Sequence, residues 1–183
     1  ELVSSGAASF EDSNNDTVSI PDDNSLSFDA CSFSAWIWMD DATNFKSIAK
    51  GVLNSDWEYL LGTESDDKMY FFIADESVAS CYLGRKTAAL TSREKSWVHV
   101  AATYDGGTAS TGIKIYIDGV QSDTGTVEAN AGSFVAMENL GANLQLGRYA
   151  ATTGTSGYMC NVGVWNAVLT QPQIKSIMHK DYA

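Results

Sequence analysis

Very little in this chain supports covalent stapling, metal chelation or membrane insertion. Of 183 residues only 3 are cysteine and 2 proline. The cysteines, Cys31, Cys81 and Cys160, never form a Cys-x-x-Cys pair, so zinc is not indicated, and an odd number excludes a fully paired framework within one chain. They read either as buried free thiols or as one disulfide with a spare thiol. No apolar run is long enough to span a bilayer, so the chain is not membrane-embedded. Positive charge is scarce, at 11 Lys and Arg against 23 Asp and Glu, and none of it precedes Lys46. A net charge of -12 repels a phosphate backbone, which argues against a nucleic-acid partner. His-Glu-x-x-His, a Gly-x-Ser-x-Gly elbow and a phosphate-cradling glycine loop are all missing. The numbering opens at Glu1 with neither Met nor a signal-peptide pattern, so a processed product or a fragment is expected.

What the chain does have is short alternating runs separated by Gly, Asn, Asp and Ser. Trp97 to Tyr104 and Ile113 to Asp118 flank the glycines of Asp105-Gly106-Gly107, and Asp118-Gly119 turns the chain again. Ile113, Ile115 and Ile117 alternate with Lys114, Tyr116 and Asp118, the period of a half-buried strand. Further strands are expected at Thr17–Ile20, Cys31–Asp40, Phe45–Lys50, Asp56–Gly62, Lys68–Ile73 and Val78–Leu83. Cys31–Asp40 is bulky on both faces, as in a strand covered from both sides. Thr170 with Gln173 forms a capping box, and Ile174, Ile177 and Met178 fall on one side of a short helix. One domain over 1–183, all-β with a C-terminal helix, is the expected organisation.

The run Trp97-Val-His-Val-Ala-Ala-Thr-Tyr-Asp-Gly, followed by Ile115-Tyr-Ile-Asp-Gly, resembles the signature of laminin-G-like domains of the concanavalin A-like lectin/glucanase superfamily. Ala7 to Pro21, Leu140 to Tyr149 and Gly157 to Thr170 resemble that family's opening, late and closing segments, so the likeness runs from about Ala7 to Met178. It implies a jelly-roll sandwich of two antiparallel sheets. The superfamily's glucanases carry Glu-x-Asp-x-x-Glu on one strand. Here Glu64-Ser65-Asp66-Asp67-Lys68 comes nearest, lacks the last acid and reads as a turn, so no enzyme is expected.

Binding is the remaining function. One reading is a carbohydrate-binding or adhesion module at an extracellular or cell surface. The alternative is a structural or interaction domain with a protein partner, such as a virion decoration or fibre module. Sugars want an aromatic platform beside polar groups. The expected ligand residues are Trp57 and Glu58, Tyr82 with Arg85, and Arg148 with Tyr149 beside the small-residue loop Ala150–Gly157. Many members of the family hold a structural calcium, and Asn14, Asn15 and Asp16 could supply it with oxygens, although Cys160 stands where the family places an acid. Asn15-Asp16-Thr17 is also a glycosylation sequon.

Overall fold

The computed structural model describes residues 6–129, 132–150 and 153–179. Among them the strands follow in chain order as β1 (Ala8–Phe10), β2 (Val18–Ile20), β3 (Cys31–Met39), β4 (Lys46–Lys50) and β5 (Tyr59–Thr63). Next come β6 (Lys68–Asp75), β7 (Cys81–Ala89), β8 (Trp97–Tyr104), β9 (Ile113–Ile117) and β10 (Val120–Gln121). The last are β11 (Asp123–Ala129), β12 (Leu144–Leu146), β13 (Arg148–Tyr149), β14 (Thr153–Gly154) and β15 (Gly157–Trp165), before the helix α1 (Gln171–Ile177). Two antiparallel sheets form the sandwich. One has six strands in the order β1-β15-β3-β8-β9-β10, the other seven in the order β11-β7-β6-β5-β4-β12-β2. β13 and β14 make a separate two-stranded ribbon.

Alternation along the strands decides what faces inward. Phe33, Ala35, Ile37 and Met39 of β3 and Val98, Val100 and Ala102 of β8 meet Ile48, Leu61, Met69, Phe71 and Ile73 of the opposite sheet in one buried cluster. Aromatic contacts cross the gap, with Phe33 4.7 Å from Tyr59 and 5.4 Å from Phe71 between ring centroids. The expected meander is present, with Ala102 opposite Ile115 and Val100 opposite Ile117. Asp118 and Gly119 both have positive φ, 49° and 71°, as a tight two-residue hairpin turn demands.

Several details depart from the sequence reading. β7 starts at Cys81 rather than Val78 because Asp75 accepts hydrogen bonds from the Ser77 N–H and hydroxyl, turning the chain before it can pair. The run from Leu140 to Tyr149 is interrupted at Gly147, giving β12 and β13. Tyr116, on the expected polar face of β9, is buried, since Ile174 of α1 and Leu169 pack over it and Ala101. Among the described residues no disulfide joins the cysteines: Cys31 and Cys81 are buried and Cys160 is half-buried. Ala151 and Thr152 of the small-residue loop lie outside the described residues.

Candidate functional site

The solvent side of the seven-stranded sheet carries a second apolar cluster, set apart from the core between the sheets. Pairing aligns Gln145, Ala49, Leu60, Phe72, Gly84 and Val127 in one row across six strands. Trp57 lies over this row, with centroids 5.7 Å from Phe72, 5.3 Å from Tyr82 and 6.1 Å from Tyr149. Tyr70 stacks on Phe72 at 5.1 Å, and the Lys86 ammonium stands 5.6 Å from the Tyr70 centroid.

The loop before β5 frames this patch. At Gly51, φ is 80° and an added Cβ would come within 1.7 Å of the Asp56 carbonyl oxygen, so only glycine lets the loop close on itself. Asp56 Oδ1 accepts the Val52 N–H at 2.9 Å, and the Leu53 N–H donates to the Tyr149 hydroxyl at 3.0 Å. Beside the loop is an open cleft of about 360 Å3, with Val52 and Asp56 lining it together with Ala142, Asn143 and Gln145. A buried ion cluster holds the chain leading into the 141–143 lining. Glu58 Oε1 accepts the Leu140 N–H at 2.8 Å and pairs with Lys50, while Lys50 Nζ donates to the Leu140 carbonyl at 2.8 Å and pairs with Asp22 at 2.8 Å.

These placements sort the residues expected at a ligand site. Trp57, Tyr82 and Tyr149 do come together, but Trp57 is 4% exposed and supports the patch rather than offering a platform. Tyr82 and Tyr149 are half-buried at its margin. Glu58 is fully enclosed and reaches no solvent, so its role is to hold the chain at Leu140. Arg85, three residues from Tyr82, points to the other face by strand alternation and pairs with Asp123 at 2.5 Å. Arg148 is also turned inward, with Nη2 2.8 Å from Asn15 Oδ1 and Nη1 3.9 Å from Asp12.

That last contact bears on calcium. Asn15 gives its amide oxygen to Arg148, and Asp16 Oδ2 accepts the Glu11 N–H at 3.0 Å. Calcium wants six to eight oxygens and no cation among them. The cation that this loop holds is a guanidinium, and its donors do not fit calcium. Among the described residues no group of three or more His, Cys, Asp or Glu is arranged to hold a metal.

Glu64 and Asp66 are likewise engaged. Glu64 pairs with Lys46 at 2.7 Å, and Asp66 Oδ2 accepts from the Tyr70 hydroxyl at 3.0 Å and pairs with Lys68 at 3.0 Å. Burial raises the Asp66 pKa, but hydrogen bonds from Lys68 and Tyr70 outweigh it and hold the carboxyl below its usual value. A general acid for glycoside cleavage needs the opposite shift.

The sequence reading missed Tyr70, Phe72 and Lys86. The signal for the first two was present, since period-two alternation in Lys68–Ile73 places both on one face. It also missed a row on the other sheet, where Tyr158 pairs with Trp38 and Trp38 with Trp97. The two indoles are 6.1 Å apart and Tyr158 is 42% exposed.

The profile of the concanavalin A-like lectin/glucanases superfamily matches residues 12–175. No curated protein matches the sequence. Similar solved structures share the fold at low identity. Domain 4 of an extracellular arabinanase from Geobacillus stearothermophilus, solved with arabinotriose, superposes with a TM-score of 0.62 at 16% identity, covering 88% of this chain and 71% of that one. A SAP-like pentraxin from Limulus polyphemus gives 0.56 at 16% identity over 97% and 83% of the two chains. The ligand-binding domain of botulinum neurotoxin serotype D, in complex with N-acetylneuraminic acid, gives 0.65 at 12% identity over 97% and 42%.

Proposed function

This chain belongs to the concanavalin A-like lectin/glucanases superfamily, and we propose that it serves there as a non-catalytic carbohydrate-binding module. One observation carries the reading: an aromatic patch on the solvent side of the seven-stranded sheet adjoins an open cleft edged by a carboxylate and two amides, Asp56, Asn143 and Gln145. A sugar ring would lay its apolar face toward Tyr149 and Tyr82 and present its hydroxyls to those polar groups. The arabinotriose and N-acetylneuraminic acid in the two similar structures support a glycan as the ligand class. Such a module acts at an extracellular or cell surface. No described helix is long and apolar enough to cross a membrane.

The test is calorimetric titration with a panel that includes arabinotriose and sialylated oligosaccharides. Tyr149→Ala and Asp56→Ala should each weaken the best ligand by about 1–3 kcal/mol. If neither changes the affinity, the site is not here. Reducing-sugar release from β-glucans or galactans should be nil, because Glu64 and Asp66 of the nearest acidic motif are engaged in ion pairs and Asp67 accepts from the Thr43 and Thr91 hydroxyls.

One feature favours the second reading, an interaction domain in a larger assembly. The Tyr158–Trp38–Trp97 row leaves aromatic surface uncovered on the six-stranded sheet. Sedimentation of the wild type against Tyr158→Ser checks it; self-association lost in the variant would support this reading.

A further inference from the structure

The outer face of the six-stranded sheet holds another cleft, of about 440 Å3, at the end of β8 away from Trp97. Thr103 and Tyr116, 1% and 4% exposed, form its floor. One side is the turn after β8, fixed by Asp105 Oδ1 accepting the Gly107 N–H at 2.8 Å and by the Asp105 N–H donating to the Gly112 carbonyl at 3.2 Å. The other side is the chain at Val168 and Leu169. Ser32 ties it to the sheet, donating to the Ala167 carbonyl at 2.7 Å and accepting from the Leu169 N–H at 2.8 Å. Both walls are therefore set before any ligand arrives.

The cleft's charged groups are Lys114 and Asp105, and neither enters an ion pair among the described residues. Lys86, Lys95 and Lys175 also lack an ion pair among the described residues, but none of them lines this cleft. Lys46, Lys50, Lys68, Arg85, Arg93 and Arg148 each lie within 4.0 Å of a carboxylate. The arginines expected at a ligand site are thus engaged internally, and a cation in no ion pair faces a formed cleft elsewhere.

We propose that this cleft binds a pyranose bearing one carboxylate. The Lys114 ammonium pairs with the ligand's carboxylate, the free Asp105 oxygen accepts from ring hydroxyls, and Gln121 and Thr103 supply further hydrogen bonds. Val168, 46% exposed, covers the ring's apolar face, and Tyr116 supports the floor beneath it. Other ligand classes fit less well. A neutral sugar leaves Lys114 without a partner. A sulfate ion offers Asp105 no donor hydroxyl, and an apolar ligand buries two unpaired charges.

The site lies on the opposite sheet from the Asp56 cleft, so the two readings fail independently. The experiment follows backbone amide NMR signals during titration with D-glucuronic acid, N-acetylneuraminic acid and D-glucose, separately. Either acid should shift the signals of Asp105, Gly112 and Lys114, and the ratio of their affinities tells which carboxylated pyranose is preferred. Lys114→Gln, at an exposed position, should keep the melting temperature and weaken the acid by about ten-fold or more. Asp56→Ala should leave these shifts intact. The proposal is overturned by shifts confined to Val52, Asp56 and Asn143, by no shift at millimolar acid, by equal binding of D-glucose, or by unchanged affinity in Lys114→Gln.

Discussion

Two side chains show how burial rather than residue type sets behaviour here. His99 on β8 is 2% exposed, its ring 5.4 Å from Trp36, and its Nδ1 makes no hydrogen bond among the described residues. Burial, with the His179 charge a lesser cause, lowers its pKa from 6.5 to about 4. The unfolded chain therefore binds a proton that the folded chain refuses as pH falls through this window. Its contribution to stability is complete above pH 6.5, drains away toward pH 4 and stays lost below that. The difference amounts to about 3 kcal/mol. Subtracting the denaturation free energy of His99→Gln from that of the wild type, pH by pH, cancels the carboxylates and should leave this curve; a flat difference would refute it. Arg148 makes the complementary case. With a guanidinium in the 12–16 loop, EDTA should leave the melting temperature unchanged. Arg148→Ala should cost about 1–3 kcal/mol. A melting temperature lowered by EDTA and restored by calcium would show that the loop holds a metal after all.

The strands were legible where both sides of the argument were local. β8 and β9 announce themselves because period-two alternation and an Asp-Gly turn need no knowledge of the rest of the fold. The site was less legible, because a side chain's exposure is decided by segments far away in sequence. Trp57 and Tyr149 are 92 residues apart by their numbers, and only the fold reveals that one covers the other. Glu58 sits next to Trp57 and looked equally available, yet it is sealed beneath Leu140 with Lys50. Arg85 was misplaced by a rule that the sequence did contain, since an odd offset from Tyr82 along a strand reverses the face. The Glu58 cluster joins β4, β5 and the chain before β12, so its loss should be felt as a joint. Glu58→Gln strips most of the compensation from a fully buried ammonium and should destabilise the domain by about 3–5 kcal/mol in urea titrations. It should also shift the amide signals of Ala142 and Asn143, which line the cleft beyond Leu140. A loss below about 1 kcal/mol would mean that Asp22 alone suffices for Lys50.

At the scale of the whole molecule, the charge imbalance is the property that no single contact explains. With 23 acids against 11 bases, the cations that do pair lie near or beneath the surface, and the surplus carboxylates have nothing to offset them. The stretch before Lys46 is the extreme case. Asp23, Asp29, Asp40 and Asp41 all lie on the surface. Self-repulsion of this kind disfavours the compact state, and salt screens it over a Debye length of about 10 Å at 0.1 M. Salt also weakens the exposed ion pairs, but pairs such as Arg93 with Asp118, about two-fifths exposed, contribute little to begin with. The buried pairs of Lys50 are screened much less. The repulsive side of this balance is therefore the larger, and stability at pH 7 should rise between 10 mM and 500 mM sodium chloride. Thermal melts across that range should move upward by a few degrees. A fall would show that the exposed ion pairs stabilise the fold more than its net charge disfavours it.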